Sequence, residues 1–241
     1  MTNNPMPQIN VCLSPALIPI FEVEKYIVVI IDIFRATSSI TYGINNGAEA
    51  IIPVAEVEEC LAYQEQYPHY LLAAERNGEV VAGFDFGNSP FSYTKDKVEG
   101  KTVVLTTTNG THALHLSRNA KKVVIGSFLN LLAINEWLKA QQDDVLLVCA
   151  GWKNNFNLED TIFAGAVANQ LIPTGFIPDD AAIAAYDLYQ LAKNDLAGYL
   201  KKTSHSERLK KLGIEKDIAF CLQVDIATAI PVLDGERLVR L

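Results

Sequence analysis

Short apolar runs alternate with amphipathic segments along most of the chain. Runs rich in Ile, Val, Leu and Ala predict buried strands, and the segments between them, with apolar residues at helical spacing, predict helices. Continuous apolar strands that alternate with helices are typical of a mostly parallel sheet covered on both faces. The predicted strands are 26–32, 49–54, 70–75, 101–108, 121–128 and 144–151, and the predicted helices are 35–47, 57–67, 129–142 and 158–171, with another that begins at 109.

The pattern changes after residue 179. Residues 179 to about 222 predict helices only, and the segment 229–241 predicts a β-hairpin because an Asp-Gly pair separates two apolar runs. We therefore expect a three-layer α/β/α fold with a mostly parallel sheet, a C-terminal helical segment and a terminal β-hairpin. We expect residues 1–241 to form a single domain, with 179–222 as a candidate helical sub-lobe.

Composition excludes several classes of function. Apolar residues make up 49% and charged residues 20% of the 241 positions, a balance typical of globular proteins. The formal net charge of −8 makes non-specific binding to nucleic acid or to an anionic membrane unfavourable. A site for an anionic substrate must therefore create positive potential locally, through arginines, helix N-termini or a metal ion.

The cysteines and the first residues of the chain predict a cytoplasmic protein. None of Cys12, Cys60, Cys149 and Cys221 forms a CxxC pair, and their apolar surroundings favour reduced, buried thiols. The first 13 residues lack the basic segment and long apolar run of a signal peptide, and no apolar stretch is long enough to span a bilayer. The sequence does not determine the oligomeric state, and a homo-oligomer is compatible with it.

Polar residues follow the predicted strands, at the edge where open parallel sheets bind ligands. Asp32 ends the strand 26–32, and Arg35 begins the next helix. A carboxylate in that position suits a metal ion, and an arginine at a helix N-terminus suits a phosphate or a sulfonate. The alternative is a helix cap with a surface ion pair.

A second group of polar residues lies around the end of the strand 70–75. Glu75 ends the strand, and Arg76 offers a second positive charge before an Asn77-Gly78 turn. The glycine-rich loop that follows carries Asn88, and loops of this kind often close over ligands. An ordinary turn-rich connection explains these residues equally well.

Hydroxyl groups mark two further strand ends. Thr107, Thr108 and Asn109 stand between a strand and a helix, where hydroxyls and helix-start amides form an anion cradle. The plainer explanation is the β-propensity of Thr followed by helix capping. Ser127 occupies a similar junction, and an N-cap role accounts for it equally well.

Acidic residues open the helix 158–171. Cys149 ends the preceding strand, and Glu159 and Asp160 fall in the first helical turn, where acidic residues interact favourably with the helix dipole. As a pair they are candidate magnesium ligands. The histidines form no zinc-binding spacing and are expected at the surface or in packing; they are His69, His112, His115 and His205.

Several known mechanisms are excluded by missing residues. No P-loop and no GxGxxG motif is present. Phe34 stands where a haloacid-dehalogenase-type phosphatase needs a second Asp, and Asn155 stands where a Cys-x5-Arg phosphatase needs Arg. The Arg-His-Gly motif of phosphohistidine enzymes is also missing. A phosphatase with this sequence needs another route.

Taken together, the motifs resemble the 2-phosphosulfolactate phosphatase family. The resemblance implies an α/β enzyme that hydrolyses 2-phosphosulfolactate to sulfolactate and phosphate with magnesium, a step that leads toward coenzyme M in methanogens. Its motifs appear in the family's order: VVIIDIFRATSSI (28–40), AAERNG (73–78), GFDFGNSP (83–90), VVLTTTNGTHAL (103–114), IGSFLN (125–130), CAG (149–151) and LEDTIFAG (158–165).

The implied substrate carries phosphate, carboxylate and sulfonate groups on three carbons. We predict that Mg²⁺ is held by Asp32 with Glu159 or Asp160, with Glu75 as the alternative ligand. Asp32, Arg35 and Asp160 are the predicted catalytic residues. The predicted substrate-binding residues are Arg35, Arg76, Asn88, Thr107, Thr108, Asn109, Ser127 and Cys149.

Two other functions stay open at this point. One is a phosphatase for another small phospho-carboxylate. The other is a non-catalytic relative that only binds an anion. The acidic residues argue against it, because buried carboxylates do not help a protein to bind an anion.

Overall fold

The computed structural model describes residues 6–76 and 79–241, so the predicted Asn77-Gly78 turn lies outside the described residues. Within them, the apolar runs form strands at the predicted positions. The strands are β1 (Gln8–Cys12), β2 (Ile27–Ile31), β3 (Ala50–Pro53), β4 (Leu71–Arg76), β5 (Glu79–Val80), β6 (Thr102–Thr106), β7 (Lys122–Gly126), β8 (Val145–Cys149), β9 (Ile177–Pro178), β10 (Pro231–Asp234) and β11 (Arg237–Arg240).

The amphipathic segments form helices, and the segment after residue 179 is helical as predicted. The first helix ends close to Gly47, whose φ of 92° is the left-handed conformation typical of a helix end. The helices are α1 (Ala36–Asn45), α2 (Val57–Gln66), α3 (Lys95–Val98), α4 (Gly110–Leu116), α5 (Leu131–Gln141), α6 (Leu158–Leu171), α7 (Asp180–Ala192), α8 (Leu196–Leu200), α9 (Ser204–Lys211) and α10 (Glu215–Cys221).

Strand β2 shows why helices cover both faces of the sheet. All of its side chains are buried. Val29 and Ile31 pack into one core together with side chains of α5, α6 and α7. Val28 and Ile30 pack into a second core with side chains of α1 and α4. Because successive side chains of a strand point to opposite faces, the two cores lie on opposite sides of the sheet, which confirms the predicted α/β/α layers.

The strand order is β5-β4-β6-β3-β11-β10-β7-β2-β8-β1-β9. The pairs β4–β6 and β3–β6 are parallel, and so are β7–β2, β2–β8 and β8–β1. The predicted hairpin is present as β10–β11, with Gly235 at a φ of 59° in its turn. It lies between β7 and β3, pairs antiparallel with both, and joins two parallel groups of strands into one sheet.

The structure adds strands that the sequence analysis does not predict. Strand β1 lies in the sheet between β8 and β9, although its five residues are too few to show a clear period. Strand β5 falls in the predicted loop after β4 and pairs with it in antiparallel fashion. Both strands are short, and β1 in addition depends on pairing partners that are distant in the chain, whereas β5 pairs with the strand directly before it.

The C-terminal helices contribute to the core beside the sheet. Ala182 and Ala185 of α7, Leu200 of α8, Leu209 of α9 and Cys221 of α10 belong to the same buried cluster as Val29 and Ile31. The single-domain organisation and the helical sub-lobe stay predictions. No helix in the described ranges is both long and apolar enough to cross a bilayer.

Candidate active site

A small pocket lies at the carboxyl ends of β2, β6 and β8 and beside the end of β4. Its volume is about 20 Å³, which is enough for a single water molecule. Helix α9 supplies one of its walls. The pocket is lined by Asp32, Phe34, Arg35, Glu75, Asn88, Thr107, Thr108, Asn109, Trp152, Arg208, Leu209 and Leu212.

Asp32 lies at the base of this pocket, directly after β2. Its side chain is only 8% exposed, and the backbone N–H of Ala36 donates a hydrogen bond to its carboxylate. Gly110 lets the start of α4 approach closely, because a Cβ atom there would lie 2.9 Å from the Asp32 Oδ2 atom. The chain thus brings a buried carboxylate next to the threonine-rich junction after β6.

Arg35 is held in place by two acidic residues. Its Nη1 atom donates to the Asp217 Oδ2 atom at 2.5 Å, and its Nη2 atom lies 4.0 Å from the Glu75 Oε2 atom. Ser89 donates to the other oxygen of Asp217 at 3.0 Å. The peptide bond between Phe34 and Arg35 is cis. Arg35 is therefore a buried guanidinium, fixed by α10 and β4, that lines the pocket.

The junction after β6 is fixed by its own side chains. The Thr111 hydroxyl donates to the Thr107 carbonyl at 2.7 Å, and the Thr111 N–H donates to the Thr107 hydroxyl at 3.3 Å. Asn109 accepts a hydrogen bond from the backbone N–H of Lys153 at 3.0 Å. These contacts place Thr107, Thr108 and Asn109 on the pocket wall in a defined conformation.

Glu159 and Asp160 are fully buried beside the pocket rather than on its lining. The Asp160 carboxylate accepts hydrogen bonds from the backbone N–H groups of Ile33 at 2.9 Å and Gly151 at 3.0 Å. Asp160 therefore ties the loop after β2 to the loop after β8. Glu159 forms a short hydrogen bond with the Nδ1 atom of His205, which the sequence analysis assigns to the surface or to packing.

The buried carboxylates affect one another. Burial, the largest effect, raises the pKa of Asp32 to about 6, and Glu159 and Glu75 contribute to the rise. Burial also raises the pKa of Asp160 well above its ordinary value, with Asp32 and Glu159 as further causes. Several carboxyl groups therefore lie close together around Asp32, and a cation bound there would favour their charged forms.

Three predicted substrate-binding residues do not line the pocket. Arg76 follows Glu75 on β4 and so points to the opposite face, where it donates to Thr106 at 3.4 Å. Ser127 is fully buried and bonds to Asn130 at the start of the next helical turn. Cys149 is fully buried within the end of β8. Their positions at strand ends are as predicted, but none of the three is on the pocket lining.

The structure predicts unreactive thiols. All four cysteines are buried, and burial raises the pKa of Cys12 to about 11 and of Cys221 to about 12. The folded protein should therefore show almost no reaction with a disulfide reagent such as DTNB at pH 8, whereas the unfolded protein should show four thiols. Rapid release of one equivalent of thionitrobenzoate from the folded protein would contradict this result.

Several pocket residues carry no signal in the sequence pattern. Arg208 and Leu209 come from a helix without a strand-end position. Asp217, which does not line the pocket itself, holds the pocket residue Arg35 from 182 positions away. Trp152 follows β8, but its neighbours in the sequence do not mark it as a wall residue. These residues can be assigned to the site only from the packing of the C-terminal helices against the sheet, which the sequence pattern does not reveal.

The residues around Asp32 offer a limited set of ligands for a metal ion. In the ranges 6–76 and 79–241, no three Asp, Glu, His or Cys side chains converge tightly enough to hold a metal ion on their own. The Glu159 Oε2 atom is nevertheless buried and, among the described residues, accepts no hydrogen bond. Magnesium is commonly bound by only one or two carboxylates, with water and substrate phosphate as the other ligands. The residues present fit that type of site.

The fold and the pocket together define an α/β protein whose pocket, at the carboxyl edge of the sheet, combines arginines with a buried carboxylate. The model of the family described as 2-phosphosulpholactate phosphatase matches residues 12–236. The chain therefore belongs to the 2-phosphosulfolactate phosphatase family, a family of phosphoric monoester hydrolases, and the resemblance seen in the sequence is confirmed.

Individual relatives agree with this assignment. A protein of Caldanaerobacter subterraneus subsp. tengcongensis is 42% identical over 209 residues, which cover 86% of this chain and 87% of that protein. A protein of Thermotoga petrophila is 42% identical over 89% of this chain and 92% of its own length. A protein of Clostridium botulinum is 35% identical over 97% of this chain and 100% of its own length. Each of the three is named a probable 2-phosphosulfolactate phosphatase.

Proposed function

We propose that this protein hydrolyses 2-phosphosulfolactate to sulfolactate and phosphate, and that it requires magnesium. The observation that carries the proposal is the convergence of Asp32, Arg35 and Thr107 on one pocket at the carboxyl edge of the sheet. A buried carboxylate, a fixed guanidinium and hydroxyl groups are the groups that a phosphoryl-transfer site needs. Membership of the family supports the choice of substrate.

In this proposal, Asp32 and Glu159 hold the magnesium ion. Support comes from the proximity of the Asp32 and Glu159 carboxyl groups and from the buried Glu159 Oε2 atom, which accepts no hydrogen bond from a described residue. Asp160 is the weaker candidate, because both of its oxygens already accept hydrogen bonds from backbone N–H groups. When bound, the ion would neutralise charge on the phosphoryl oxygens.

Arg35 and the β6–α4 junction would bind the phosphoryl group. The guanidinium of Arg35 is held by Asp217 and Glu75, so its orientation is set before the substrate arrives. Groups that are fixed in advance stabilise developing charge without reorganising during the reaction. Glu75 also lines the pocket, and we assign it the role of general base for the attacking water.

The test is phosphate release from the purified protein. The assay uses 2-phosphosulfolactate, phospholactate and phosphoglycerate, each with Mg²⁺ and again with EDTA. We expect release that requires Mg²⁺ and favours the sulfonated substrate, because its three anionic groups can be matched by the two pocket arginines, Arg35 and Arg208, together with the metal ion.

Other outcomes separate the parts of the proposal. Equal release from all three esters would retain the phosphatase and reject the specific substrate. Undiminished release after EDTA treatment and dialysis would reject the magnesium requirement. No release from any ester by protein that still binds sulfolactate would favour the anion-binding alternative.

A further inference from the structure

Arg208 reaches the pocket from α9, on a different side from the sheet edge that carries Arg35. Its guanidinium carbon lies over the face of the Trp152 ring, 3.3 Å from the ring centre. Arg208 and Trp152 both line the pocket. A guanidinium that lies flat on an indole ring uses its face for that contact. Its N–H groups, which point outward in the guanidinium plane, stay available to bind an anion.

Trp152 is a rigid support for this arginine. The backbone N–H of Trp152 donates to the Asn155 carbonyl at 3.0 Å, and that of Asn155 donates back at 2.9 Å. Lys153 and Asn154 have positive φ angles of 49° and 62°, a strained conformation for residues other than glycine. Backbone strain of this kind is concentrated at functional sites.

Two further contacts fix the same loop. Ser14 donates to the Asn154 carbonyl at 2.6 Å, and Lys153 donates to Asn109 on the opposite pocket wall at 3.0 Å. At Gly151, any Cβ atom would lie 2.2 Å from the Asn155 carbonyl oxygen, so only glycine allows the loop to close. The position of the Trp152 ring is therefore set by the fold.

The two pocket arginines differ in their partners. Arg35 is bound by Asp217 and lies near Glu75. Arg208, by contrast, makes its contact with Trp152 but takes part in no hydrogen bond or ion pair with another described residue. Burial lowers the pKa of Arg208, while the charges of Glu75 and Glu159 act in the opposite direction. A partly buried cation without a paired anion is unfavourable, and an anionic ligand would remove that cost.

We propose that Arg208, stacked on Trp152, forms a subsite for an acid group of the substrate other than its phosphate. The inference rests on the proposed phosphatase function and deepens it. Arg35 and the Thr107 junction bind the phosphoryl group at the sheet edge, and Arg208 binds a carboxylate or sulfonate from the α9 side. The subsite thus selects phosphate esters that carry a second strong acid group.

The test compares Arg208→Gln, Arg208→Lys and the wild type. For 2-phosphosulfolactate, Arg208→Gln should raise KM by about 10- to 100-fold, the effect of losing one charged hydrogen-bonded pair, and change kcat by less than about threefold. The KM of Arg208→Lys should lie between those of the wild type and Arg208→Gln, because lysine keeps the positive charge but cannot form a bidentate contact with the acid group. For p-nitrophenyl phosphate, which has no second acid group, the rise in KM for Arg208→Gln should be much smaller than for 2-phosphosulfolactate.

Lys211→Gln is the matched control. It removes one positive charge from the last turn of the same helix, at an exposed position that does not line the pocket. Its KM should equal that of the wild type. Equal KM values for Arg208→Gln and the wild type, or an equal loss with p-nitrophenyl phosphate, would overturn the subsite. In the second case Arg208 serves the phosphoryl group instead.

A binding measurement keeps the inference separate from turnover. Titration calorimetry with sulfolactate should give a Kd for Arg208→Gln that is about 10- to 100-fold higher than for the wild type. Trp152→Leu should weaken binding as well, and its effect should not add to that of Arg208→Gln, because both changes remove the same stacked pair. If the wild type releases no phosphate but shows this difference in Kd, the subsite stands and the phosphatase proposal fails. Equal Kd values would reject the subsite regardless of turnover.

Discussion

Replacing Asp32 by asparagine is expected to reduce kcat/KM for 2-phosphosulfolactate on the order of 10³-fold while the protein stays folded. Asp32 is the buried carboxylate at the base of the pocket, and an amide cannot replace its charge toward a cation or a proton. The measurement is phosphate release under saturating Mg²⁺, with circular dichroism to verify the fold. Turnover near the wild-type level would show that Asp32 has no part in the reaction.

The same substitution should stabilise the metal-free protein. The pKa of Asp32 is raised from 3.8 to about 6 in the folded state, so folding favours its protonated form. The resulting stabilisation is present below pH 3.8 and is lost as the pH rises through about 6. In EDTA at pH 8, Asp32→Asn should therefore increase the free energy of unfolding, by at most about 3 kcal/mol.

A matched control separates this effect from a general change of charge. Asp96 is an exposed acidic residue in the first turn of α3. Asp96→Asn should leave both activity and the pH dependence of stability near those of the wild type. Urea unfolding at pH 5 and pH 8 gives the comparison. A loss of stability in Asp32→Asn at pH 8 would contradict the assigned charge effect.

Gly165→Ala should reduce the free energy of unfolding by about 3 kcal/mol or more. Gly165 lies in α6 where this helix meets α7, and a Cβ atom there would stand 1.9 Å from the Ala185 carbonyl oxygen. The added Cβ atom is bonded to the α6 backbone and the Ala185 oxygen is part of the α7 backbone, so the clash can be relieved only if the two helices move apart. A decrease in the free energy of unfolding would be informative, because alanine normally stabilises a helix by about 1 kcal/mol relative to glycine.

Ala184→Gly provides the comparison for Gly165→Ala. Ala184 is an exposed residue of α7 beside Ala185, and its replacement should cost only the helix propensity of about 1 kcal/mol. Because α6 also carries Glu159 and Asp160, the folded fraction of Gly165→Ala should lose activity as well. A Gly165→Ala variant as stable as the wild type would show that α6 and α7 can separate at little cost.

The layered fold is predictable from the sequence because its signals are local. Five consecutive apolar residues in β2 require burial on both faces, and the Asp234-Gly235 pair defines a hairpin. The place of that hairpin is a different matter. Val232 pairs with Val124 and Leu238 pairs with Ile51, and no local property of these residues identifies their partners.

The site is predictable to the extent that it depends on strand ends. Asp32, Arg35 and Thr107 follow strands in the sequence, and the structure brings them to one pocket. Arg76 shows the limit, because the direction of a side chain depends on the alternation along β4 that places Glu75 at the pocket instead. The wall residue Arg208 depends on how α9 packs against the sheet, which is a tertiary property.

The position of the β10–β11 hairpin has a consequence for biosynthesis. The hairpin, residues 231–240, comes after β1 to β9 in the chain. In the sheet, however, it fills the gap between β3 and β7. Until the ribosome has delivered them, the nascent chain has two unpaired strand edges at the middle of its future sheet. Such edges are templates for pairing with other chains. Between synthesis of β9 and closure by the hairpin, we therefore expect these two edges to be open to pairing with other chains.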